Sequence, residues 1–256
     1  MGFDVAADAY DRFMGRFSNR LAPLFADFAA IGPGARVLDV GCGPGALTVE
    51  LAHRTDASRV AAVDPAPQFV ESCRARVPGA DVREAPAEQL PFADGGFDAA
   101  LSQLVLTFMR DADVALGEMR RVVRPGGAVA ACMWAPGEQM QLLGLFEQAA
   151  ARFATKGADG GPGRAYRRRE ELEGLFERAG LEQIEAELLS VESRYAGVDE
   201  LWESFRDAPG PAGAVLARLD DEQREAFREE LVRLLGAPAG AFTLAGAAWA
   251  VRGRAG

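Results

Sequence analysis

The spacing of apolar residues changes period several times along the chain, and each change marks an element. In residues 4–30, Tyr10, Phe13, Met14 and Phe17 recur at helical spacing, and Leu21, Leu24, Phe25 and Phe28 do the same. This predicts two short helices, ended by Gly32-Pro33-Gly34. From there short apolar runs alternate with helical stripes. Val37 to Val40 reads as a strand and Gly41 to Gly45 as a tight turn, with Pro44 suited to open a helix through Ala52. A second strand over Val60 to Val63 ends at Asp64 and is followed by a helix near 67–77 and a short strand near 80–84. Phe97 to Leu101 is a fourth strand. Asp111 is placed to cap a helix whose stripe is Leu116, Met119, Val122 and Val123. Pro125-Gly126-Gly127 should break that helix before a fifth strand from Ala128 to Met133.

The second half is less regular. A helix near 138–153 leads into the glycine-rich stretch Lys156 to Gly163, the most flexible part of the chain by composition. Arg167 to Gly180 reads as a helix with Leu172, Leu175, Phe176 and Ala179 inward and Gly180 as its stop. Ile184 to Tyr195 alternates like a strand, two helices follow near 198–206 and 219–236, and Phe242 to Val251 reads as a closing strand. Strands alternating with helices imply an α/β fold with a parallel sheet wound on both faces, and ligands then bind beyond the carboxyl ends of the strands.

Composition narrows the partners. A chain of 256 residues, 49% hydrophobic and 26% charged, suits one large globular domain. No apolar run approaches the roughly 20 residues of a membrane span. The opening residues carry acids and no basic-then-apolar signal pattern, and Cys42, Cys73 and Cys132 form neither a CxxC nor an even set. A reduced, cytoplasmic protein is the expectation. The net charge of −10 disfavours nucleic acid, since binding phosphate requires a basic surface. His53 is the single histidine, so a His base or a multi-His metal site has little to draw on, and no metal is expected.

The informative segment runs from Val37 to Thr48 and reads VLDVGCGPGALT. Glycines at 41, 43 and 45 let backbone approach a ligand closely, and the turn would aim free N–H groups at whatever sits on the helix N-terminus. Asp64, nineteen residues after Gly45, ends the next strand, where its carboxylate can accept from two ribose hydroxyls. A nicotinamide dinucleotide also uses glycines plus an acid, but its G-x-G-x-x-G needs a last glycine where Ala46 or Leu47 stands. Asp39, inside the strand before the turn, would repel a pyrophosphate. It is placed to orient the ammonium of an amino acid through water.

With these residues the chain resembles the class I S-adenosylmethionine-dependent methyltransferases, and within them the ubiquinone/menaquinone-methyltransferase-like branch. VLDVGCGPGALT (37–48), VAAVDP (60–65), AEQLPFADGGFDAALSQLVLTFM (87–109) and MRRVVRPGG (119–127) carry the resemblance, and YDRFMGRFS (10–18) is similar to the opening of many relatives. It implies a Rossmann-like, doubly wound, mostly parallel seven-stranded sheet with an antiparallel last strand. It also implies one domain over 1–256: an N-terminal helical lid (1–34), a cofactor-binding core (35–133), and acceptor-side helices inserted before the closing strand (134–256). S-adenosyl-L-methionine is the implied cofactor. Gly41, Cys42 and Gly43 would wrap its methionine part, and Asp64 its ribose. Pro65 and Ala66 would lie against adenine, with the Ala87 N–H on the ring. Ser102, Gln103 and Leu104, following strand four, would line the sulfonium, and Tyr10 and Arg16 would meet its carboxylate.

Two departures from the family pattern stand out. Where relatives often have Asp for the adenine amino group this chain has Pro86, which leaves that contact to Glu88 or a neighbour. Where relatives commonly have a histidine after strand four it has Thr107-Phe108. Three further features keep two readings each. Arg167-Arg168-Arg169 with Arg164 is either a clamp for an acceptor anion or a solvated helix start. Trp134, Phe146, Phe153, Trp202 and Phe205 line an acceptor pocket or simply fill core. The helices over 198–236 roof a small, largely apolar acceptor, or cover a sheet edge or a homodimer contact. His53 reads as a helix-end surface residue and Cys42 as packing. Glu138 is a weak general-base candidate for a hydroxyl acceptor. A binding module without turnover is the alternative to an enzyme, with a nicotinamide oxidoreductase behind it.

Overall fold

Val37–Val40 (β1) and Val60–Asp64 (β2) are buried at every position, the pattern of strands covered by helices on both faces. They belong to a seven-stranded sheet completed by Asp81–Glu84 (β3), Phe97–Gln103 (β4), Val123–Trp134 (β5), Glu182–Tyr195 (β6) and Phe242–Arg254 (β7). The computed structural model describes residues 11–153, 165–206 and 210–256. Strand order is β3-β2-β1-β4-β5-β7-β6. The first five strands pair in parallel, and β7 runs antiparallel between β5 and β6. The expected Rossmann-like sheet is therefore present, antiparallel last strand included.

The helices follow from the stripes. α1 (Arg16–Phe28), α2 (Ala46–Thr55), α5 (Gln141–Ala151), α7 (Val198–Arg206), α8 (Gly210–Leu216) and α9 (Asp221–Leu234) share one apolar cluster on one face. α4 (Ala112–Val122) and α6 (Arg169–Arg178) cover the other. α3 (Pro67–Arg76) follows β2, packing Val70 and Cys73 against Cys42, Ala62 and Val82. Asp111 caps α4 as read, accepting from the Val114 N–H at 3.1 Å. Asp220 and Gln223 form a capping box on α9.

The differences have local causes. The two expected N-terminal helices are one helical run from Asp11 to Phe28, because the step from Phe17 to Leu21 keeps both stripes in phase. Its described part is anchored: Phe17, Leu21 and Phe25 are fully buried, and Arg54 of α2 holds Asp27 (2.5 Å) and the Pro23 carbonyl (2.8 Å). Pro125-Gly126-Gly127 does not separate helix from strand. It forms an irregularity inside β5, between the pairs Phe97↔Val123 and Ala99↔Ala128. Gly127 is needed there, since a Cβ would lie 2.6 Å from the Asp98 carbonyl oxygen. α8 is an additional short helix between α7 and α9. Lys156 to Gly163 and Arg164 lie outside the described residues. No helix among the described residues is long and apolar enough to cross a membrane.

Candidate functional site

In the sheet β1 and β4 are neighbours, and the chain leaves them in opposite directions, toward β2 and toward β5. A crevice opens at such a switch point beyond the carboxyl ends of the strands. Asp39 and the glycine turn stand at the end of β1. Ser102 and Gln103 close β4, as its last two residues rather than as a loop after it.

Asp39 is 1% exposed. Its Oδ2 accepts the Thr48 hydroxyl at 2.7 Å, and its Oδ1 is enclosed with no hydrogen-bond partner. Burial pushes this carboxyl up to about 7, with the Thr48 hydroxyl working against the rise and the Asp64 charge adding to it. Thr48 in turn accepts from the Cys73 thiol at 3.4 Å. Cys42 and Cys73 pack together, and their interaction holds the Cys73 thiol below its ordinary range and lifts that of Cys42.

Asp64 bridges the two loops that follow β1 and β2. Its Oδ2 accepts from the Gly43 N–H and its Oδ1 from the Ala66 N–H, both at 2.9 Å. Burial raises its pKa while these two donors hold it down. The N–H groups of Gly41 and Cys42 both donate to the Val63 carbonyl, at 2.8 and 2.9 Å. The turn therefore does not present free N–H groups at positions 41 to 43, because it uses them to close on β2. Two of its glycines are required for different reasons. At Gly41 (φ +75°) a Cβ would come within 2.6 Å of Val105 Cγ2, whereas at Gly43 (φ +52°) it would meet nothing within 4 Å. Gly43 thus borders open space.

The remaining expected residues divide. Pro65 is exposed and Ala66 half-buried beside the Asp64 carboxylate, and Ala87 is buried. Glu88 turns its Oε1 to the N–H groups of Arg110 (2.7 Å) and Asp111 (3.2 Å), which ties the loop after β3 to the start of α4. Ser102 is enclosed with its Oγ unpartnered. Gln103 donates from Nε2 to the Ser18 carbonyl at 3.2 Å, and its Oε1 is unpartnered. Leu104 holds φ +67°, strain worth about 1–3 kcal/mol in a residue other than glycine. Arg16 has partners within the protein. It pairs with Glu200 at 2.6 Å and lies 4.2 Å over the Tyr195 ring, joining α1 to β6 and α7. Tyr10 lies outside the described residues.

Two arginines of the proposed clamp have partners within the protein, and Arg164 lies outside the described residues. Arg167 is buried on Glu147 (2.8 Å) and the Ala135 carbonyl, and Arg169 pairs with Glu173. Of the aromatic residues, Trp134, Phe146 and Phe205 are core and Phe153 and Trp202 are half-buried against it: Phe146 lies 5.1 Å from Phe205 and 5.2 Å from Phe227, and Phe17 edges onto Trp134 at 6.2 Å. His53 is exposed, as expected. Sequence reasoning misses Thr48 and Cys73. Thr48 lies one turn into the helix behind Asp39, a spacing that could have flagged it. Nothing local pairs Cys42 with Cys73, thirty-one residues on.

Known proteins resemble this chain in sequence and in fold. Residues 38–131 match the family described as a methyltransferase domain. The malonyl-acyl-carrier-protein O-methyltransferase of Geobacter sulfurreducens is 32% identical over 183 residues, 70% of this chain and 66% of that protein. An uncharacterised protein of Mycobacterium tuberculosis is 37% identical over 118 residues, and the chain spans 42% of its length. Among solved structures, a Bacillus halodurans C-125 protein shares the fold at TM-score 0.60 and 18% identity, covering 91% of this chain and 98% of that one. The Haemonchus contortus phosphoethanolamine N-methyltransferase 2, solved with S-adenosyl-L-methionine, does so at 0.57 and 19%, over 97% and 56%. The cyclase SpnF does so at 0.55 and 20%, over 92% and 81%. The fold is that of the Rossmann-like, S-adenosylmethionine-dependent methyltransferases. A cyclase shares it, so the activity of this chain has to be argued from its site.

Proposed function

We propose that this protein is a methyltransferase that binds S-adenosyl-L-methionine at the β1/β4 switch point and transfers its methyl group in line to a small, largely apolar acceptor. The carrying observation is Asp39: a buried carboxylate with one oxygen fixed by Thr48 and the other unpartnered, which suits the ammonium of an amino acid. When bound, the cofactor supplies a methyl group already activated on a sulfonium. Asp64 would take the ribose hydroxyls on lone pairs its two N–H donors leave free, since a carboxylate has about four acceptor sites. The open space at Gly43 would admit the methionine part. Ser102, Gln103 and Leu104 would border the sulfonium, where Gln103 is oriented through Ser18 and Leu104 by its strained backbone. The protein's chief contribution is to hold the acceptor in line and exclude water.

The Geobacter relative, named for methylating an oxygen, favours a carboxylate oxygen as acceptor atom. Such a nucleophile needs no general base, which fits a site whose described residues gather no histidine. Calorimetric titration with S-adenosylhomocysteine tests the binding reading, and the absence of binding heat refutes it. Release of S-adenosylhomocysteine across a panel of small carboxylic acids, thiols, amines and hydroxyl compounds tests turnover. Binding without release from any of them would identify an idle binding module.

A further inference from the structure

Asp39 is not held by its strand alone. Its carboxylate lies at the end of a file of buried groups from two helices: the Cys73 thiol of α3 donates to Thr48 Oγ1 at 3.4 Å, and the Thr48 hydroxyl of α2 donates to Asp39 Oδ2 at 2.7 Å. Thr48 and Cys73 are fully buried. A hydroxyl has one proton. With the Cys73 thiol occupying an acceptor position on Thr48, that proton is directed at Asp39 rather than back toward α3. This settles which carboxylate oxygen is engaged and leaves Oδ1 as the enclosed, unpartnered one.

Resting on the reading that the turn holds S-adenosylmethionine, we propose that Thr48, backed by Cys73, is a positioning residue that engages Asp39 Oδ2 and so selects Oδ1 as the oxygen offered to the cofactor ammonium. The groups around Asp39 leave the favouring of its charged form to few candidates. From β2 the Asp64 charge opposes ionisation. Cys42 on the turn and Cys132 on β5 are buried thiols whose own ionisation is pushed up, so both face Asp39 uncharged. Among the described residues no cation acts on Asp39. The Thr48 hydroxyl is therefore the chief side-chain group favouring the charged form that a bound ammonium requires.

The test reads S-adenosylhomocysteine affinity by calorimetry from pH 5.5 to 8.5, and in parallel the pH dependence of unfolding without ligand. Variants are Thr48→Val, which keeps the shape and removes the hydroxyl, Thr48→Ser, Cys73→Ala and Asp39→Asn. Wild-type affinity falls about tenfold per pH unit below its midpoint, because binding must first expel a proton. Thr48→Val moves that midpoint up by about one unit, so affinity drops about fivefold at pH 7 and about tenfold at pH 6, and converges on wild type by pH 8.5. Thr48→Ser follows wild type, and Cys73→Ala shifts the midpoint in the same direction as Thr48→Val by less. In the ligand-free protein, Thr48→Val moves the pH at which stability is lost upward by the same amount. Superimposable profiles for Thr48→Val and wild type overturn the proposal, as does a loss equal at every pH, which would mark a purely steric role. If Asp39→Asn binds as well as wild type, the ammonium reading of the site fails and takes this proposal with it. Loss of binding in Asp39→Asn with an unmoved Thr48→Val profile overturns the proposal alone.

Discussion

Replacing Asp39 by asparagine should make the ligand-free protein more stable at neutral and alkaline pH while removing cofactor binding. An acid held up from 3.8 to about 7 keeps its proton in the folded state across roughly three pH units in which the unfolded chain has lost it. Such a group contributes stability that is fully present below the unfolded value and is lost as pH rises through the folded one. At about 1.4 kcal/mol per unit, the loss between pH 4 and pH 8 is about 4 kcal/mol, an upper figure for a group that any structural relaxation would hydrate. The substituted amide can still accept the Thr48 hydroxyl and has no charge to desolvate. The variant's unfolding free energy should therefore exceed that of the wild type by an amount growing from near zero at pH 4 to about 2–4 kcal/mol at pH 8. Denaturant unfolding across this pH range measures the difference directly. Carboxylates held below their ordinary range by neighbours, such as Asp81, Asp98 and Glu118, give the opposite slope in both proteins and cancel in the difference. A difference curve that is flat with pH would refute the reasoning, because Asp39 would then be ionised in the folded state without penalty.

Other outcomes follow from the same geometry. Gly43→Ala should leave the melting temperature within a few degrees of wild type and cut S-adenosylhomocysteine affinity at least tenfold. Gly41→Ala, forced against Val105, should lower the melting temperature as well, and equal melting temperatures for the two would count against the assignment of open space to Gly43. Asp64→Ala removes two backbone N–H bonds to a carboxylate, each worth about 1.5–3 kcal/mol, and also relieves a buried charge, so it should lower the unfolding free energy by about 1–3 kcal/mol and weaken binding by about 1.5–3 kcal/mol. Wild-type stability in that variant would mean the bridge between the two loops is dispensable. Calorimetry with a chelator present should give unchanged affinity, since the described residues contain no group of three or more potential metal ligands. A chelator-sensitive affinity would disprove this.

The strand pattern is legible because the central strands are nearly uniform apolar runs bounded by glycine or acid, and the same boundaries locate Asp39, the glycine turn and Asp64. Residues acting through distant partners are not legible. Arg16 looks available for a ligand in the sequence, yet Glu200 and Tyr195, in the last third of the chain, claim it. The same holds for Arg167, taken by Glu147. Cys42 and Cys73 carry no local signal of their contact, and only the packing of α3 beneath the turn brings them together. Pro125-Gly126-Gly127 reads as a break because its local chemistry is that of a turn. The neighbouring strand imposes extended pairing on both sides of it.

The place of β7 has a consequence for how the chain is made. A ribosome delivers β5 and β6 well before residues 242–254, and in the finished sheet neither pairs with the other, since β7 fills the gap between them. Until it arrives, β5 carries a row of unsatisfied N–H and C=O groups over an apolar surface, and β6 has no strand to pair with. Nascent chains halted before Phe242 should therefore stay bound to chaperones or associate through that open edge, and should become compact only once the final strand has emerged.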